Sequence, residues 1–145
     1  SRVAIMGHSM GGGAALAAAA ELGDAVQAVV PLSLYCCEPG DSFAADYSGL
    51  DTPALIIASA TDNVAPPAEH ARLLYDAIGS SDKIYLEFAE GDHMIVANGG
   101  PDLGTIARFT LAFLKVHLEG RDGLMAFLES PDENYRSRFS NYEVR

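Results

Sequence analysis

Positive charge is scarce in this chain: 145 residues carry nine Lys and Arg against twenty Asp and Glu, a formal net charge of −11. Such a surface repels a phosphate backbone, and the only basic cluster is "RSR" at Arg136 to Arg138, so nucleic acid is not an expected partner. The acidity is read as solubility rather than as a preference for a cationic ligand. Cysteine is nearly absent. Cys36 and Cys37 are adjacent, and the strained eight-membered ring of a vicinal pair argues against a bridge. Neither a CxxC nor a Cys/His spacing exists, so no structural zinc site is expected. Long apolar runs are missing too. Pro, Gly, Asp or Glu interrupts every candidate before it reaches the length of a bilayer span. There is no low-complexity tract and no internal repeat, which leaves disordered and solenoid architectures without support. No basic leader precedes an apolar segment, and the opening "SRVAIM" lacks a start methionine, so the compartment is not legible.

What is present suits one globular domain over residues 1–145, with 49% apolar and 20% charged residues. Four short apolar runs are expected strands: Arg2 to Gly7, Gln27 to Leu34, Pro53 to Ser59 and Lys83 to Ala89. The first three are almost continuously apolar, as strands buried on both faces of a parallel sheet are. The fourth alternates Ile84, Leu86 and Phe88 with Tyr85 and Glu87, which suits an edge strand. Helices are expected over Met10 to Leu22, Pro67 to Ile78 and Leu103 to Leu118, each stopped by a glycine. In the third, Leu103, Ile106, Ala107, Thr110, Leu111, Leu114 and Leu118 form an apolar stripe, with Arg108 and Lys115 facing away. Alternating strands and helices predict an α/β fold. Residues 119–145 read as a polar tail docked on the domain, with a short helix near Gly123 to Leu128 and irregular chain beyond.

The sharpest motif is Gly7-His8-Ser9-Met10-Gly11, a G-x-S-x-G between an apolar strand and a small-residue helix. Such a strand-to-helix turn exposes a serine hydroxyl at the carboxyl edge of a sheet. Side chains at Gly7 or Gly11 are expected to collide with neighbouring backbone there. The helix N-terminus favours developing negative charge, and the Met10 N–H is a candidate oxyanion donor. The phosphate-loop alternative fails because no G-x-G-x-x-G pattern or P-loop lysine follows.

A serine nucleophile needs a base and an orienting acid. Of four histidines, His8 lies inside the turn, while His70 and His117 fall in expected helices as surface or packing residues. His93, in the glycine-flanked loop "EGDHMIVANGG", follows a strand end and is the expected base. Asp62 follows the third strand at the same sheet edge and is the expected acid. Asp92 is adjacent to His93, where side chains diverge; Asp41, Asp46 and Asp51 look like solvated turn residues. The order Ser9, Asp62, His93 is that of α/β-hydrolases.

From Arg2 to about Phe139 the chain resembles the bacterial cutinase and polyester (PET) hydrolase group of α/β-hydrolases, with dienelactone-hydrolase-like esterases as wider relatives. The resemblance is carried by "GHSMGGG", "TPALIIASATDNVAPPAEHARLLYDAI", "GDHM", and "FLKVHLEGRDGLMAFL" followed by "YRS". It implies Ser9, Asp62 and His93 as catalytic residues and Met10 as one oxyanion N–H. It also implies Tyr35 at the position of a substrate-packing aromatic, Val64 and Met94 lining the same cleft, and an ester or polyester substrate. No cofactor or metal is implied, and the group is secreted. The group's C-terminal cysteine pair is replaced here by Glu129 and Phe139.

Members of the group carry further strands and helices before the elbow strand, so the expected fold is the C-terminal half of an α/β-hydrolase: about four parallel strands, elbow strand first, flanked by helices. An elbow strand at the sheet edge would leave unpaired backbone groups, which a second copy or an N-terminal half could pair. Three expectations follow: a cutinase-like serine esterase, a small-molecule esterase or lipase with the same triad, or an inactive half-domain. The last would lack a second oxyanion donor, a loss of roughly 3 kcal/mol.

Overall fold

The computed structural model describes residues 2–36, 46–98 and 100–145; Cys37 and Asp41 lie outside the described residues. Its sheet has five strands in the order β1-β2-β3-β4-β5: Ala4–His8, Ala28–Leu32, Ala54–Ser59, Lys83–Phe88 and Phe139–Val144. The first four are parallel and β5 returns antiparallel to β4. Helices α1 (Met10–Leu22), α2 (Ala71–Ala77), α3 (Leu103–Glu119), α4 (Met125–Glu129) and α5 (Glu133–Arg136) flank it.

Strand alternation sorts the side chains into two cores. Val29, Ile56 and Tyr85 face Leu16 and Ala19 of α1 and Leu74 and Tyr75 of α2. Their neighbours Val30, Leu55, Ile57, Leu86 and Phe88 face Ile106, Phe109 and Phe113 of α3. Every residue of β2 and β3 is buried, as a sheet covered on both faces requires. Strand β1 is the outer strand, with Met6 half exposed.

Several expectations are corrected. The sheet has five strands, not four, and β4 is interior, because residues 139–144 form a strand instead of irregular tail. The signal was obscured by a bulge. Phe88 pairs with Phe139 and Glu87 with Asn141, so Ser140 is extra and the inward residues Phe139, Tyr142 and Val144 lose the period of two. The tail's aromatics are a cluster: Phe127, Tyr135, Phe139 and Tyr142 all surround Phe109 of α3 at centroid distances of 4.7 to 6.1 Å.

Helix α2 starts at Ala71, later than the expected Pro67. The buried face of α3 runs through Thr105, Ile106, Phe109, Thr110, Ala112 and Phe113, while Leu103 and Leu111 of the expected stripe are exposed. The aromatic rings set that face, since the sheet and the tail both pack against them.

Among the glycines of the turn, a Cβ on Gly7 would lie 2.1 Å from the Gly11 carbonyl oxygen, and one on Gly12 2.7 Å from Leu34 Cβ. Gly11 itself meets nothing within 4 Å, so the collision expected there falls on Gly12. The expectation of unbridged cysteines also fails: Cys36 is disulfide-bonded. Cys36 is fully buried, and its carbonyl is hydrogen-bonded to His70 Nδ1 at 2.8 Å.

Arg72 of α2 clamps β5 by pairing with both Asp76 and Glu143. Its hydrogen bond holds the Glu143 carboxyl below the usual value of 4.5. The stability this carboxylate contributes is therefore complete above pH 4.5 and lost as pH falls through the lowered folded-state value. Urea denaturation of Arg72→Gln is expected to show a smaller loss of stability in acid than the parent. One alanine substitution tests the turn and a second, in α3, serves as its control. Gly7→Ala is expected to cost more than about 3 kcal/mol because backbone must move. Gly104→Ala, in open space inside α3, is expected to gain about 0.5–1 kcal/mol in the same assay.

Candidate active site

Between the end of β1 at His8 and the start of α1 at Met10, a single residue makes the turn. Ser9 has φ 57° and ψ −126°, a positive-φ conformation outside the left-handed helical well that a non-glycine residue adopts only under constraint. The constraint is visible. Ser9 N–H donates to Leu32 O at 3.0 Å, and Ser9 O accepts from Gly12 N at 2.8 Å and from Tyr35 N at 3.0 Å. Serine at a helix N-cap ordinarily bonds the first turn through its hydroxyl. Here it makes no such bond, and Oγ lies 2.8 Å from His93 Nε2.

His93 reaches Ser9 from the loop after β4, and its Nδ1 lies 2.8 Å from Asp62 Oδ2. Asp62 follows β3 and is 3% exposed. Its other oxygen accepts the Val64 and Ala65 N–H groups, each at 2.8 Å, so three donors converge on one buried carboxylate. A carboxylate accepts only, which assigns the proton to His93 Nδ1 and leaves Nε2 free to accept the Ser9 hydroxyl proton. The arrangement can lower the cost of removing that proton and balance the resulting imidazolium.

The structure thus brings Ser9, Asp62 and His93 together. Met10 N–H begins α1, where helix geometry offers it no intrahelical acceptor. Met10 follows Ser9 in the chain, Val64 lies two residues after Asp62 and Met94 follows His93; they are exposed at 63%, 58% and 37%. Tyr35 is half-buried and stacks on His70, ring centroids 4.5 Å apart. His70 is buried, a packing residue rather than a surface one, and His117 packs at a tilt against Phe113 far along α3. Asp92 turns away from His93 to accept Met94 N–H at 2.8 Å. Among the described residues, no group of three His, Cys, Asp or Glu could hold a metal ion.

Sequence reasoning missed the part played by His8. Its Nε2–H donates to the His93 backbone carbonyl at 2.7 Å, and the two rings lie 4.8 Å apart. The signal was its place one residue before Ser9, at the tip of a strand facing the His93 loop.

A mostly parallel sheet, a strained serine between strand and helix, and an acid and a histidine on successive later loops define an α/β-hydrolase-type protein. A sequence model of the PET hydrolase-like family matches residues 1–145. The chain belongs to that family. It is 33% identical over 131 residues to cutinase 1 of Thermobifida cellulosilytica, covering 88% of this chain and 45% of that protein. It is 35% identical over 118 residues to cutinase est1 of Thermobifida alba, covering 79% and 36%. A bis(hydroxyethyl) terephthalate hydrolase of Streptomyces coelicolor is 33% identical over 115 residues, covering 79% and 34%. The chain spans less than half the length of these curated relatives.

Removing the His8 donor tests its hold on the loop. His8→Leu is expected to raise amide hydrogen exchange of residues 93–98 about fivefold, the equivalent of one net hydrogen bond of about 1 kcal/mol.

Proposed function

We propose that the chain carries the catalytic centre of a serine hydrolase that cleaves carboxylic esters, polyesters among them. The observation that carries this reading is the unbroken relay from Ser9 Oγ through His93 to Asp62, two contacts of 2.8 Å each. In the proposed reaction, Ser9 Oγ attacks the ester carbonyl while His93 Nε2 takes its proton. The tetrahedral oxyanion receives the Met10 N–H at the positive end of α1. His93 then protonates the departing alcohol, leaving an acyl group on Ser9. Water enters, loses a proton to His93 and releases the acid. Asp62 holds the Nδ1–H tautomer throughout. No cofactor takes part.

The substrate class is read from these exposed apolar residues and from the relatives. Exposed Met10, Val64 and Met94 offer apolar contact beside the serine, with Tyr35 assigned to pack on the acyl or aromatic group. The names of the matched cutinases and of the terephthalate hydrolase agree with such a substrate. No described helix is long and apolar enough to cross a membrane.

Fluorophosphonate labelling read by intact mass tests the reading. One adduct is expected on the parent chain, none on Ser9→Ala, and labelling slowed at least about 10³-fold in His93→Ala. Asp62→Asn is expected to lower ester turnover about 10⁴-fold through the wrong tautomer. Labelling that survives Ser9→Ala, or a folded parent that takes no label, overturns the proposal.

A further inference from the structure

The loop that delivers His93 leaves β4 at Phe88 and has to cross the carboxyl edge of the sheet to reach Ser9. Two residues before His93, it is gripped from the side. The Gly91 carbonyl accepts the Ser59 hydroxyl at 2.6 Å and the Thr61 hydroxyl at 2.5 Å. A carbonyl oxygen has two lone pairs, so these two donors fill it. The hydroxyls are 3.5 Å from each other, and each commits its single proton to Gly91. Ser59 is the last residue of β3 and fully buried; Thr61 immediately precedes Asp62.

Gly91 is suited to present its carbonyl this way. Its φ is 122°, and a Cβ there would lie 2.5 Å from Ile95 Cδ1, a buried side chain that pins the far side of the loop. The segment carrying the acid therefore holds the loop carrying the histidine at a second point, independent of the Asp62 to His93 contact.

We infer that Ser59 and Thr61 are positioning residues for His93, acting through the Gly91 carbonyl to set the imidazole between Asp62 and Ser9. The inference rests on the proposed role of His93 as base. Misplacement of a catalytic group by about 1 Å costs on the order of 10²-fold in rate, which sets the scale of the effect.

The test uses the full chain with a short-chain p-nitrophenyl ester, with thermal unfolding followed separately. Ser59→Ala and Thr61→Val are each expected to lower kcat about 3–10-fold, and the double variant about 10²-fold, with KM nearly unchanged. Thr61→Ser, which keeps the hydroxyl, is expected to restore the parent kcat. The low-field NMR resonance of the His93 Nδ1 proton is expected to shift or broaden in the double variant. A merely structural clamp would lower the melting temperature and leave both kcat and that resonance in place.

A folded double variant with parent kcat overturns the inference. Should the buried Ser59 substitution prevent folding, Thr61→Val decides alone, since its hydroxyl sits at the surface: an unchanged kcat overturns the inference. His93→Ala separates the two levels. If it labels with fluorophosphonate as fast as the parent, the role of His93 itself fails. If it is inactive while the double variant keeps parent kcat, only the clamp fails.

Discussion

The backbones of β1 and α1 approach so closely at Gly7 that a single added carbon would sit 2.1 Å from the Gly11 carbonyl oxygen. That approach lets the chain reverse in one residue, and the reversal forces Ser9 into its positive-φ conformation at the carboxyl edge of the sheet. The same compression seats α1 on the first core, where the Gly12 backbone meets Leu34 and the small residues Ala15 and Ala19 pack below. Everything at the edge is then referred to this turn. Leu32 and Tyr35 bond its backbone, and His8 ties it to the loop of His93.

Three segments from distant parts of the chain meet there, and none depends on a single contact. The loop after β3 curls around the Asp62 carboxylate through Val64 and Ala65, so the acid is fixed by its own chain before His93 arrives. The loop after β4 is anchored at Ile95 in the second core and at Gly91 against β3. Burial of Asp62 costs desolvation that only donors can offset, and three are supplied. The proposed chemistry thus occupies positions already determined by packing.

Legibility in the sequence followed the range of the forces involved. The turn at Ser9, helix α1 and strands β2 to β4 announce themselves locally, through glycine spacing and apolar runs, and Asp62 and His93 follow from their places after strand ends. What escaped depends on partners far away. Strand β5 was hidden because its bulge at Ser140 breaks the alternation that marks a strand. The buried face of α3 is set by aromatic residues of the tail, so helical periodicity alone misassigned Leu103 and Leu111. His8, Ser59 and Thr61 act through backbone carbonyls, and no spacing rule in one chain reveals which carbonyl a side chain will reach.

Ser9 also bears on how such a chain trades robustness against use. A non-glycine residue held in a sparsely populated conformation costs on the order of 1–3 kcal/mol, and a serine whose hydroxyl is turned from the helix forgoes a cap of about 1 kcal/mol. Glycine, which has no Cβ, would relax the first cost. Thermodynamic selection alone would therefore drift this position away from serine. In the proposed reaction the hydroxyl opposite His93 is what opposes the drift, and on that reading folding and chemistry pull the residue in opposite directions.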